Sequence, residues 1–494
     1  MGQLDLQSNK GKRYFKLKKI VLGVDTSTQS CTVVARSVDD GSILQVGKSP
    51  HPSTHPPVSE QHPNDWWNAF KNCLKQIDLT NVCGISVAGQ GHGLVGIDEM
   101  EQVIKPAKLW NDTTSDIQSQ KIINNFGAKF WADKIGTLPL ASFTITKLLW
   151  LQENENENYK RLKKIMLPHD YFNYKLTGNA STDRSEASGT GFMDIKSNSF
   201  DIEILKNIGL ENVENFEFSK ILLPDESAGY LTKAIKNDLN LTNEVIVGTG
   251  ANDNPGSALA YGAINEGDLV ISFGTSGTAF APFSESVHDA SGTIYGMAHT
   301  VSGYIPLICT LNSAKVTDLF AKLLNVSLKD FGELALKGTS SANRPILIPW
   351  IDGERTPNRP NERASIHSID NKFSREDLAR SAFEGVILGI VSALDKFNEY
   401  KIPIKKLIVT GGGANSPAYL QLLSDIMEMP VFVADVKDAA ATGIAIQAAS
   451  LIKNQPVRDL VSEWAPVVKL FTEPRKNQNN KIVLERFKEL IQKN

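Results

Sequence analysis

Two short stretches of the chain are built alike, and they limit its fold more than anything else in it. IVLGVDTSTQS (20–30) and DLVISFGTSGT (268–278) each run an apolar strand into a turn rich in Ser and Thr. In a chain of 494 residues they begin roughly 250 residues apart, about half its length, whereas solenoid repeats recur every ~20–50 residues. A chain this long also exceeds one ordinary core. Two related α/β domains are therefore expected.

The rest of the pattern is mixed. Residues 19–37 read as the first strand of a β-hairpin carrying DTSTQS, broken at DDG (39–41) and resumed as SILQVG. HPNDWWNAFKNCLKQI (62–77) reads as a helix, NVCGISVAG (81–89) as a strand and LLWLQ (148–152) as part of a helix. ENENENYKRLKK (153–164) reads as a solvated surface segment, and FKELIQKN (487–494) as a helix that caps the domain or meets a partner. SREDLARSAFEGVILGIVSALDKFNEY (374–400) is a long helix with Ser374 and Asp377 placed for a capping box. KKLIVTGGGANSPAYLQLLSDIM (405–427) reads strand, glycine turn, helix, an order suited to a nucleotide.

Composition narrows the partners. With 41% hydrophobic and 22% charged residues and a formal net charge of −3, the chain has no field to recruit nucleic acid or an acidic membrane surface. No run approaches the ~18 apolar residues that span a bilayer. Cys31, Cys73, Cys83 and Cys309 show no CxxC pairing, which argues against disulfides and structural zinc and for the cytoplasm. The basic N-terminus leads into IVLGV, but Asp25 stops that run too soon for a secretory signal.

Phosphate binding calls for clustered N–H and O–H donors. DTSTQS supplies them at Ser27, Thr28 and Gln29, and GTSGT at Gly274, Thr275, Ser276 and Gly277. Each turn alone is equally a plain hairpin; two on duplicated strands, with the glycine turn at 411–413, point to a nucleotide gripped from both domains. GSILQVGKS (41–49) mimics a P-loop, but its glycine spacing is wrong and it lies on a hairpin's return strand. No GxGxxG opens a helix, so nothing supports a nicotinamide cofactor.

Phosphoryl transfer further needs positioning, a metal and a group to take the hydroxyl proton. Asp253, in GTGANDNPGS after the strand VIV (245–247), suits that last role, although Asp253 or Asn252 could equally close an Asx turn. Asp25 ends the first apolar run beside a phosphate turn, which suits hydrated magnesium, or it is a strand-end carboxylate satisfied by its Ser and Thr neighbours. A polar substrate fits AGQGHG (88–93), with His92 among glycines, and KLWND (108–112), with Trp110, Asn111 and Asp112. His92 reads equally as a structural histidine.

These motifs together resemble the FGGY family of carbohydrate kinases, and within it the xylulokinases. The likeness runs from about residue 19 to 453 and rests on GVDTSTQS, SEQHPNDWW, AGQGHG, LWND, SFTITKLLW, LPHDYFNYKLTG, GANDNPGSALAYG, SFGTSGT, GERTP and GGGANSPAYLQLLSDI. It implies two actin-like domains of the ribonuclease H type around a cleft for ATP and sugar: 19–262, carrying the sugar site and the base, and 263–494, carrying the ATP site. It also implies Asp253 as catalytic base, Asn254, Gly91 and His92 as sugar contacts with Trp110, Asn111 and Phe143 in the same site, and Gly412, Gly413 and Asn415 at the adenosine. Mg2+ would be held by Asp25 through water and by Asp253. The implied reaction is ATP-dependent phosphorylation of D-xylulose. Ribulose, glycerol or gluconate are the alternative substrates within the family, and a nucleotide-driven switch is the alternative outside it.

The chain departs from the family pattern in places. Ser27 replaces a frequent glycine, as in some xylulokinases, and Thr32 stands where Lys or Arg is frequent. Gly91 replaces a frequent Met, which implies more room beside the sugar. Residues 1–18 match nothing in the pattern and read as an extension. Oligomeric state is not legible in the sequence, and a homodimer is carried only as an open expectation.

Overall fold

The computed structural model describes residues 18–466 and 468–493. The extension read at 1–18 therefore lies outside the described residues except for Lys18. The duplication is visible in the strand order of two large sheets. In the first, Ile20–Thr26, Ser30–Ser37 and Ile43–Pro50 form an antiparallel meander, and Val82–Gly89 and Ile246–Gly248 extend it in parallel on the other side of Ile20–Thr26. In the second, Asp268–Phe273, Gly277–Phe280 and Leu307–Thr310 form the meander, and Lys406–Thr410 and Val431–Val433 the parallel extension. Each sheet closes on one further antiparallel strand, Ser227–Tyr230 in the first and Lys469–Thr472 in the second.

The first hairpin differs from its sequence reading. Residues 20–37 form two strands, and 27–29 of DTSTQS lie in the turn between them. The polar residues interrupt the apolar alternation there, and both the N–H and the hydroxyl of Ser27 donate to the Ser30 carbonyl at 3.2 Å. The decoy GSILQVGKS lies along the third strand of this meander.

Between the sheets runs the helix Asp253–Tyr261. Its Ala258 shares a core with Val270 and Ile408 of the second sheet, while Leu259 packs with Ala445 and Ala448 of the helix Ala439–Lys453. That second helix belongs to the later half of the chain yet lies on the first sheet. It comes so close because both surfaces are small: a Cβ on Gly23 would strike the Ala441 carbonyl, and one on Gly443 the carbonyl of Gly256. The helix carrying Asp253 is thus fixed to both halves, with its N-terminus at the cleft.

The long helix Arg375–Ala393 begins with the expected capping box, Ser374 and Asp377 each bonding the other's backbone. The C-terminal helix extends over Asn479–Lys493, and its Val483 and Phe487 are buried in the second core, as a capping element requires. No helix among the described residues is long and apolar enough to cross a membrane.

Candidate active site

Carboxylates gather where the parallel strands of the first sheet end. Register places Asp25 beside Ala88 and Thr26 beside Gly89, with Ala251 and Asn252 flanking the same two residues from the other side. Ligands of α/β sheets bind at this carboxyl end of the strands. Asp253 follows in the first turn of its helix. Asn252 is the N-cap, taking the Asn254 N–H on its Oδ1 at 3.2 Å. Asn252 therefore makes the Asx turn left open by the sequence, and the Asp253 carboxylate is free of it. The Asn254 amide donates to Asp253 Oδ1 at 2.8 Å, so in this structure it is engaged with the carboxylate.

Asp25 and Asp253 are half-buried at this end of the sheet, and the surrounding protein desolvates both. Desolvation raises the Asp253 carboxyl to about 6, against the hydrogen bonds from Asn254. Asp25 rises to about 8 through desolvation first and then the charges of Asp253 and Asp438, opposed by Ser27 and Lys48. Repulsion between the two aspartates is mutual, and the larger rise falls on Asp25. Its Oδ1 is buried and unpartnered. Such a group fits a cation. Among the described residues no three His, Cys, Asp or Glu side chains are close enough to hold a metal directly, so coordination would run through water.

Both Ser/Thr turns present backbone donors. Among the described residues the N–H groups of Thr28, Gln29, Thr275 and Ser276 find no acceptor, while the Gly274 N–H closes its turn on the Ser276 carbonyl at 3.1 Å. The Thr28 hydroxyl is turned away from this role, donating to Gln90 Oε1 at 3.1 Å and accepting from Trp110 Nε1 at 2.9 Å. It ties the turn at 27–29 to the loops that carry Gln90 and Trp110.

On those loops His92 has a left-handed backbone, with φ +66°. Its Nδ1 lies 2.9 Å from the Gly189 carbonyl, which can only accept, so Nδ1 carries the proton and Nε2 is left as an acceptor. Burial, with the charges of Lys147 and Arg355 adding to it, lowers the imidazole to about 3, which keeps it neutral. Phe143 is buried behind it, ring centroids 4.7 Å apart, and backs the histidine. The buried Asn111 Oδ1, Gln90 Nε2 and both oxygens of Glu186 have no hydrogen-bond partner, as suits a pocket for a polar ligand. At Gly91 the expected extra room is absent. A Cβ there would strike Asn252 Nδ2, so the N-cap amide already fills the space a larger residue would take.

The third expected cluster borders a cavity of about 470 Å³, lined by Gly412, Gly413 and Asn415 with Thr317, Leu328 and Tyr419. That volume suits a nucleoside. A roomier cavity of about 640 Å³, beside Glu101, Lys164 and Asn179, holds none of the site residues.

Several of these groups escaped the sequence reading. Thr317 and Leu328 lie on the helices Ala314–Leu323 and Leu328–Lys337, which carry no motif. Glu186 and Tyr295 lie in none of the quoted motifs, and Lys147 lies in SFTITKLLW with no role assigned to it. GERTP did mark Arg355, without a role. Glu354 anchors that loop by accepting from Leu311 N, Asn312 Nδ2 and Arg355 N, and the Arg355 charge acts on His92 and Tyr295.

Comparison with known proteins agrees with this architecture. The FGGY family of carbohydrate kinases matches through its N-terminal domain at residues 20–260 and its C-terminal domain at residues 269–452. The chain belongs to this family: it is a carbohydrate kinase, a sugar- and ATP-binding enzyme of two actin-like, ribonuclease H-like domains. Among individual relatives, a xylulose kinase of Streptomyces rubiginosus is 34% identical over 449 residues, 90% of each chain. One of Haemophilus influenzae is 31% identical over 442 residues, 86% of this chain and 90% of its own. The crystal structure of xylulose kinase from Bifidobacterium adolescentis superposes with a TM-score of 0.85 at 30% identity, over 95% of this chain and 99% of that one.

Proposed function

We propose that this enzyme transfers the γ-phosphate of ATP to D-xylulose, giving D-xylulose 5-phosphate and ADP, in the cytoplasm. The reading is carried by Asp253, a carboxylate freed from capping by Asn252 and set at the cleft floor with its pKa near 6. At neutral pH it is mostly ionised and can accept a proton, as a general base must. In this reading the N–H groups of Thr28, Gln29, Thr275 and Ser276 hold the phosphates, and the cavity beside Gly412, Gly413 and Asn415 takes the adenosine. His92 Nε2, Asn111, Trp110 and the backbone at Gly91 orient the sugar, with Asn254 beside the base. The 5-hydroxyl oxygen attacks the γ-phosphorus as its proton passes to Asp253, and the bond to the β-phosphate oxygen breaks. Mg2+, held by Asp25 through water and by Asp253, would neutralise phosphate charge. The sugar assignment draws support from the xylulose kinases above, similar over most of their length.

The test is ADP release with Mg-ATP across D-xylulose, D-ribulose, L-ribulose, glycerol, gluconate and no sugar, ranked by kcat/KM. D-xylulose is expected to lead, and Asp253→Ala to abolish turnover while ATP still binds. Another sugar in the lead overturns the substrate; turnover unaffected by any sugar overturns the reading altogether.

A further inference from the structure

The sugar loops are held from inside the protein by an amine that no step above uses. Lys147, on the helix Thr144–Asn154, has no exposed surface, which is rare for lysine. It makes no ion pair among the described residues. Its Nζ donates to the His92 carbonyl at 2.9 Å and also to the Ser142 carbonyl. The Thr144 hydroxyl donates to the same His92 carbonyl at 3.0 Å. That carbonyl belongs to the one residue of the sugar loop with a left-handed backbone, a conformation that side-chain-bearing residues hold only when their surroundings enforce it.

His92 is therefore fixed at two points. Lys147 and Thr144 hold its main chain, and the Gly189 carbonyl holds its ring through Nδ1. Nε2 is the polar atom left over. We propose that Lys147 is a positioning residue of the sugar site: by holding the His92 carbonyl it sets the imidazole as a hydrogen-bond acceptor for one hydroxyl of the sugar. Burial lowers the Lys147 amine to about 7, and in either protonation state it keeps the two N–H bonds this task needs. The proposal rests on the sugar-kinase reading of the cleft, because it gives His92 Nε2 a sugar to meet.

The experiment uses the full-length enzyme and whichever sugar of the panel the wild type prefers. Lys147→Met, close in length and apolar, is expected to raise the sugar KM about tenfold or more, a misplaced contact group being costly. The ATP KM and the kcat at saturating sugar should stay within about twofold of wild type, since only ground-state sugar binding is loosened. His92→Ala supplies the cycle: added to it, Lys147→Met should raise the sugar KM no further, because its effect passes through His92. A structural role predicts instead a lowered Tm with sugar and ATP constants unchanged, or a full additional effect in the His92→Ala background, and either overturns the proposal. If Lys147→Met does not fold, Thr144→Val removes the other donor to the same carbonyl, and an unchanged sugar KM there overturns it as well. A wild type that turns over no sugar refutes the kinase reading and this inference with it; a normal wild type with an unmoved Lys147→Met refutes the inference alone.

Discussion

Replacing Asp253 by asparagine separates what its carboxylate costs the fold from what it does for the reaction. Unfolded, an aspartate titrates near 3.8; in the native cleft desolvation raises Asp253 to about 6. The native state therefore binds this proton more tightly than the unfolded chain, and the stability it contributes is complete below about 3.8 and lost as pH rises through about 6. At about 1.4 kcal/mol per pH unit the full loss is about 3 kcal/mol. The group is half-buried on a cleft open to water, so screening reduces this to about 1–2 kcal/mol. Asparagine keeps an Oδ1 to accept from Asn254, has no charge to desolvate and relieves Asp25 of a repulsive neighbour. Urea unfolding without nucleotide, from pH 4 to 8.5, should give nearly equal stabilities near pH 4 and a variant more stable by about 1–2 kcal/mol above pH 7. Turnover should fall by about 10²–10⁴ or more, and wild-type kcat/KM should show an acid limb near pH 6. A variant less stable than wild type at pH 8, or a difference that does not change with pH, would refute the electrostatic account of the cleft.

Four further substitutions probe other parts of the molecule. Gly443→Ala drives a methyl into the Gly256 carbonyl and should cost about 1–3 kcal/mol in denaturant unfolding, whereas Gly389→Ala, in a helix with nothing within 4 Å, should gain about 0.5–1 kcal/mol. Gly332→Leu projects into the cavity beside Tyr419 and should raise the ATP KM about tenfold while leaving the sugar KM within about twofold, as initial rates would show. Asp25→Asn should abolish turnover and weaken the thermal stabilisation by Mg-ATP; because burial and its acidic neighbours raise Asp25 from 3.8 to about 8, the free variant should gain stability over wild type as pH rises above 3.8, with the gain complete once pH has passed about 8.

Features that depend on backbone pattern were the legible ones. The repeated strand and Ser/Thr turn, the capping box at Ser374 and Asp377 and the glycine turn at 411–413 are local, since each is fixed by residues a few positions apart, whereas the third strand of the second meander pairs Thr310 with Gly277 across a long connection and was not read. Asp253 was legible as a carboxylate at a strand end, but not its freedom, which depends on the direction of the Asn252 side chain. The same amide reversed the reading of Gly91: a glycine implies room, yet the room was taken by a residue 161 positions away in sequence. The role of Lys147 escaped for a related reason: SFTITKLLW carries the lysine within the resemblance, but nothing in the spacing shows that it points inward to a carbonyl 55 positions earlier. The cavity beside Gly412 and Gly413 needed two motif-free helices brought against the glycine turn, which is tertiary information throughout.

The three carboxylates of the cleft show why such a site tolerates its own cost. Asp25, Asp253 and Asp438 come from three separate elements, and only Asp438 has a cationic partner, Lys48 at 2.5 Å, which itself joins the two halves of the chain. Packing around the helix Asp253–Tyr261 is tight enough, through Gly23 and Gly443, that the other two cannot relax apart by moving backbone. The cost of desolvation at both, with repulsion added at Asp25, is therefore stored as raised proton affinity. A proton relieves it at low pH, and on the proposed reading the magnesium of Mg-ATP relieves it at neutral pH, when Asp253 must be ionised to act. The same charges that weaken the free protein favour the ligand, so affinity for Mg-ATP and intrinsic stability should trade against each other at Asp25 more than at any residue of the sugar loops.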